Sequence, residues 1–155
     1  MTFATAAGTA IGLVLAAPAS YTKAGYEALS YTDIGEVTDL GEIPSRIYEL
    51  VTHAPLASRG LQKGKGGYQL GSQTIVFAIS PGDAGQAVLD TATNSDAAYS
   101  IKIAHPTLGT IYARALVMGG PKSYGGVNSV ATRSITLEYT MPDATTDGVV
   151  AVPIP

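Results

Sequence analysis

The stretch Gly60-Leu61-Gln62-Lys63-Gly64-Lys65-Gly66 has the glycines and lysines of a loop that could cradle phosphate. A nucleotide-binding P-loop needs four residues between its glycines, and a Ser or Thr after the Lys to hold magnesium. Here three residues separate Gly60 from Gly64, and Gly66 follows Lys65. A strand is expected next, in place of the helix whose N-terminus would meet a phosphate. The segment therefore reads as a glycine-rich loop with basic tips. The two histidines, His53 and His105, have no acidic or histidine partner at metal-ligand spacing, and His105, just before Pro106, reads as a turn residue. Asp33, Glu36, Asp39 and Glu42 recur every three residues. Calcium loops need tighter oxygen spacing and a closing Glu, so these four read as a solvated acidic face. No Gly-x-Ser-x-Gly elbow occurs. The absence of cysteine removes thiolate metal sites, cysteine nucleophiles and disulfides. These residues imply no enzyme, cofactor or metal.

The distribution of charge carries more than any motif. Residues 27–49 hold six acids, Glu27, Asp33, Glu36, Asp39, Glu42 and Glu49, against one base, Arg46. Residues 50–82 hold Arg59, Lys63 and Lys65 and no acid. A domain with an acidic region and a separate basic loop can join copies of itself head to tail, a heterologous contact that builds rings or tubes. Scattered solvated charge is the alternative. A net charge of −3 argues against nonspecific nucleic-acid binding, which needs a basic field.

The elements that must position these residues are mostly strands. The 155 residues suffice for a single domain. Eighteen Gly and nine Pro favour a turn-rich β protein. Only 14% of residues are charged, against about 25% in ordinary soluble proteins. With 46% hydrophobic residues and a mean hydropathy of +0.21, part of the surface is expected to lie under subunit contacts. The Ile11–Ala17 run imitates a signal peptide, but the first basic residue is Lys23. The run also falls far short of the roughly 20 residues that span a bilayer. It reads as a core strand over Ala10–Ala17, with no membrane role.

Further along, a helical turn is expected at Thr22–Leu29, extended chain at Tyr31–Val37 and a strand at Arg46–Thr52. The segment His53–Gly67 lacks periodicity and reads as a mobile loop. Gln73–Ser80 is a strand with Ile75, Phe77 and Ile79 on one face. Ser80-Pro81-Gly82-Asp83 announces a helix, with Ser80 as N-cap and Pro81 at the first helical position. It should run to about Thr91 with Ala84, Ala87, Val88 and Thr91 on one stripe. Ser100–Ala104 and Thr110–Met118 form a hairpin, and Ser134–Thr140 alternates cleanly. Residues 141–155 should leave the body as an arm. The sum is mainly β: an antiparallel β-sandwich or partly closed barrel with one flanking α-helix.

At these segments the chain resembles a known family. Pro18–Glu42, PASYTKAGYEALSYTDIGEVTDLGE, resembles the amino-terminal part of tail tube proteins of long, non-contractile-tailed (siphovirus-type) bacteriophages. Tyr48–Gly66, YELVTHAPLASRGLQKGKG, is similar to that family's long hairpin loop, and Asp83–Leu89, DAGQAVL, to its single helix. The resemblance runs from Pro18 to about Thr140, leaving the segment 1–10 as the weakest match. It implies a structural virion protein, assembled in the host cytoplasm, whose hexameric rings stack into a hollow tail tube. The protruding loop at 53–67, with His53, Leu56, Arg59, Leu61, Lys63 and Lys65, would reach the adjacent ring. Asp33, Glu36, Asp39 and Glu42 are the proposed acidic partners there. Other partners would be a tape-measure protein, tail-tip and tail-terminator proteins, and DNA in transit without specific binding. Two alternatives share parts of this reading: the inner tube of a contractile tail or type VI secretion-like device, and a secreted β-sandwich binding module.

Overall fold

A computed structural model describes residues 3–154. In chain order its elements are β1 (Ala10–Val14), α1 (Lys23–Glu27), β2 (Thr32–Asp33), β3 (Val37–Asp39), β4 (Ile47–His53), β5 (Gln62–Gln69), β6 (Ser72–Ala78), α2 (Ala84–Thr93), β7 (Tyr99–His105), β8 (Gly109–Gly119), β9 (Lys122–Ser123), β10 (Thr132–Tyr139) and β11 (Val150–Val152). Nine strands make one antiparallel sheet in the order β2-β1-β7-β8-β10-β6-β3, with β11 added to β8 and β9 to β10. β4 and β5 pair only with each other.

The sheet curls into a half-barrel, and its closure is short. Its edge strands, β2 and β3, are joined by Ile34–Glu36 alone. At a reach of about 3.6 Å per residue, the edges are held within about 14 Å of each other. The bridge is hydrogen-bonded at both ends: Ile34 N–H donates to Ile11 O, and Ala78 N–H to Glu36 O, each at 2.9 Å. Glu36 makes the turn in the left-handed region, φ 60°, a conformation few residues other than glycine adopt.

The concave face holds the core. Alternation puts Ile11 and Leu13, Ile101 and Ile103, Ala113, Ala115 and Val117, Ile135 and Leu137, and Ile75 and Phe77 inward. Helix α2 fills the hollow with Leu89 and Ala92, both fully buried. Burying a side chain the size of Leu89 or Phe77 is worth about 1.5–3 kcal/mol. The helix lies tight against the closing bridge because residue 85 is glycine: a Cβ there would come 2.2 Å from Asp33 O. Gln86, also buried, staples the closure. Its Nε2 donates to Gly35 O at 3.1 Å and Ala78 O at 2.9 Å, and its Oε1 accepts from Ser80 N–H at 2.9 Å.

Several sequence expectations change here. The N-cap of α2 is Asp83, not Ser80: its Oδ2 accepts from Gln86 N–H at 2.9 Å and from Gly35 N–H at 3.1 Å. Ser80-Pro81-Gly82 forms the turn before the helix, closed by Asp83 N–H donating to Ser80 O at 3.1 Å. The buried stripe is Gly85, Gln86, Leu89 and Ala92 in place of Ala84, Ala87, Val88 and Thr91. The bulk of Leu89 and the hydrogen bonds of Gln86 decide the face. The first strand ends at Val14, with Leu15 exposed. Residues 141–154 do not leave the body. Val150–Val152 pairs with Thr110–Tyr112 of β8, and Tyr26 Oη donates to Gly148 O at 2.5 Å. The β7–β8 hairpin and the β6 and β10 strands form as expected.

Candidate assembly surface

Half of the segment expected as loop is strand. Gln62–Gln69 pairs antiparallel with Ile47–His53, from Ile47 opposite Gln69 to His53 opposite Gln62, leaving a tip at residues 54–61. The long loop is thus a hairpin standing off the half-barrel. A glycine-rich strand with lysines lacks the alternation that marks a strand with one face on a core, because neither face of this one meets a core. Every residue of β4 is exposed. A bulge sets Gly66 and Gly67 opposite Glu49. A Cβ on Gly66 would come 2.7 Å from Val51 Cγ2, so a larger residue there would push the Val51 side chain aside.

The two faces differ. Pairing puts Tyr48 beside Tyr68, Leu50 beside Lys65 and Thr52 beside Lys63, all on one face. The tyrosine rings lie 5.3 Å apart, Lys65 Nζ sits 4.8 Å from the Tyr48 ring, and the Arg46 guanidinium 4.9 Å from the Tyr68 ring. From the root outward two adjacent rings are thus flanked by cations: Arg46, Tyr68, Tyr48, Lys65. Exposed cation–π contacts are worth about 0.5–1 kcal/mol each. The opposite face presents Ile47 (57% exposed), Glu49, Val51 (53%) and His53. At the tip Leu56 is fully exposed, with Leu61 and Arg59 nearby in sequence.

The root is anchored to the carboxy-terminal segment. Arg46 Nε donates to Asp147 Oδ2 at 2.5 Å, while Asp147 Oδ1 accepts from Val149 N–H at 3.1 Å. Burial works against the Asp147 charge, but the Arg46 hydrogen bond and the Val149 amide outweigh it and hold the carboxyl below its usual range. The same hydrogen bond raises the Arg46 guanidinium above its own. Behind the anchor, burial pushes the Tyr26 phenol up to about 12.

The four acids are not gathered at one place. Asp33 lies on β2, and Glu36 and Asp39 at the β3 edge. Glu42 follows β3 toward the hairpin root. All four are exposed. Among the described residues the two ion pairs are Arg46–Asp147 and Arg133–Asp90, so neither these acids nor Arg59, Lys63 and Lys65 find an ionic partner within the subunit. Sequence reasoning missed Arg46, Tyr48, Tyr68 and Asp147. The first three carry a signal: an alternating Arg46-x-Tyr48 facing a Tyr68 that directly follows a glycine pair. Asp147 carries none, since it lies 101 residues from its partner.

His105 is the last residue of β7 and its side chain caps the turn that follows. Its Nδ1 accepts from the amides of Thr107 and Leu108, both at 3.0 Å, so the proton sits on Nε2, which donates to Thr5 O at 2.6 Å. His53 lies in the last paired row of the hairpin, opposite Gln62. Among the described residues no three His, Asp or Glu side chains converge as a metal site, and no helix is long and apolar enough to cross a membrane.

No protein-family model matches the chain, and no curated protein matches it. Solved structures do match in fold. A chain of the anti-feeding prophage (AFP) baseplate, solved with six-fold symmetry, aligns at TM-score 0.61 and 14% identity, covering 90% of this chain and 93% of that one. A chain from the tail of an empty GTA particle, refined with helical C6 symmetry, aligns at TM-score 0.62 and 13% identity, covering 92% and 94%.

Proposed function

We propose that this chain is a tail tube protein: a virion structural protein that polymerises as stacked hexameric rings and forms a conduit for DNA. The observation that carries the reading is the β4–β5 hairpin. It is a two-stranded ladder, with exposed Ile47 and Val51 on one face and cations and aromatic rings on the other, and its own subunit covers neither face. Isolated two-stranded hairpins are marginal in water, so this one gains most of its order from a neighbour. Its fold-level likeness to chains of two six-fold tail-like particles supports the same assignment, as does the sequence resemblance to siphovirus-type tube proteins.

The hairpin is then the inter-ring contact, with Leu56 and Leu61 supplying apolar area and Arg59, Lys63 and Lys65 meeting acids among Asp33, Glu36, Asp39 and Glu42. Tape-measure, tail-tip and terminator proteins would be further partners, and the protein would reside in the virion with no cofactor and no enzymatic step. Hydrogen exchange tests the reading. The amides of Ile47–His53 exchange fast in the free subunit and become protected at concentrations where rings and tubes sediment. Equal protection in both states would contradict it.

A further inference from the structure

The half-barrel carries a second exposed apolar protrusion, at the end opposite the hairpin. Between β9 and β10 the loop 124–131 exposes Tyr124 (65%), Val127 (fully) and Val130 (70%). Strand β6 fixes the relation of the two protrusions. The hairpin enters β6 at Ser72, whose partner on β10 is Glu138. The loop returns beside the other end of β6, where Ile79 N–H donates to Ala131 O and Ala78 pairs with Thr132. Seven residues of strand put these ends about 20 Å apart.

Charge separates the same way. The hairpin bears Arg59, Lys63 and Lys65 against Glu49, with Arg46 held by Asp147. The loop end bears Glu36, whose carbonyl bonds Ala78. It also bears Asp90, exposed and paired to Arg133 at the start of β10, against the single further base Lys122.

From this polarity we infer that the loop 124–131 is the receiving surface for the hairpin of a second copy, Leu56 seating against Val127 while the hairpin's bases face Glu36. The contact is heterologous, so it propagates and does not close on a dimer. Of the four acids, it selects Glu36 and leaves Glu42, at the root end, outside the contact. The inference rests on the stacked-ring reading and names its receptor.

The chain has no cysteine, so introduced pairs report the contact directly. Under oxidising conditions, at concentrations where the protein sediments as polymer, Leu56→Cys combined with Val127→Cys is expected to give a ladder of disulfide-linked multimers on a denaturing gel. An equal mixture of the two single variants is expected to stop at dimers. Leu56→Cys combined with Leu108→Cys, an exposed residue in the β7–β8 turn at the root end, is expected to give no ladder. All three side chains are exposed, so the fold tolerates the changes. Polymers that form normally yet give no Leu56–Val127 ladder, or that give the ladder with Leu108→Cys instead, overturn the receiving surface and leave the tube reading standing. A chain that stays monomeric at every concentration, with tail-tip complex added, overturns both.

Discussion

Reversing Lys63 and Lys65 to Glu separates electrostatic stacking from mere solubility. The two lysines sit on one face of the hairpin, opposite Thr52 and Leu50, and form no ion pair within the subunit. The fold therefore loses only the contact of Lys65 with the Tyr48 ring, 4.8 Å away, and thermal unfolding of the free subunit should barely move. An exposed inter-subunit ion pair is worth about 0.5 kcal/mol, and reversal replaces that attraction with similar repulsion. Over two positions the change is about 2 kcal/mol per subunit contact, which raises the critical concentration for polymerisation roughly thirtyfold. Sedimentation across a concentration series reads this shift directly. Salt supplies the control: wild-type assembly weakens between low and physiological ionic strength as screening shortens, whereas the reversed variant gains. A double variant that polymerises at the wild-type concentration with unchanged salt dependence refutes the reasoning. Stacking would then rest on apolar contacts such as Leu56 and Leu61.

Other consequences follow from the scaffold. Gln86→Ala leaves Ser80 N–H, Gly35 O and Ala78 O without their partner. It should cost about 2–4 kcal/mol in denaturant unfolding; a loss below about 1 kcal/mol would show that the half-barrel closes without its staple. Asp147 has a lowered carboxyl pKa in the folded state, so its contribution is present above the unfolded value near 3.9 and is lost as pH falls through the folded one. Acid below about pH 4 should therefore lower the protection of the hairpin-root amides, Ile47 and Gln69, relative to their intrinsic exchange rates, and Asp147→Asn should do so at neutral pH. Tyr26 is raised to about 12, so its burial stabilises fully below about pH 10 and the benefit disappears as pH climbs through about 12. Phenolate absorbance should show it ionising well after exposed tyrosines.

What was legible in the sequence tracks the distance over which each feature is encoded. Ile135, Leu137 and Tyr139 alternate with polar residues because one face of β10 meets the core, and that strand could be read alone. The β7–β8 hairpin was readable because Pro106 and Gly109 punctuate it. β5 was not: with both faces in solvent, selection for alternation is absent, and Lys63-Gly64-Lys65-Gly66-Gly67 looks like loop. The α2 cap went to Asp83 because its carboxylate serves Gly35 as well as Gln86, a contact 48 residues away. The return of residues 141–154 depends on Arg46 and Tyr26, which no local pattern announces. The basic cluster Arg59, Lys63 and Lys65 was found from charge alone, whereas the aromatic rungs between Arg46 and Lys65 needed the strand register.

Electron microscopy of the purified, concentrated protein bears most directly on tube formation. The account predicts hollow tubes whose end views are six-membered rings, lengthening with concentration and shortening when Lys63 and Lys65 are reversed. A uniform field of monomers or closed dimers, at concentrations far above those found in an assembling particle, would contradict it.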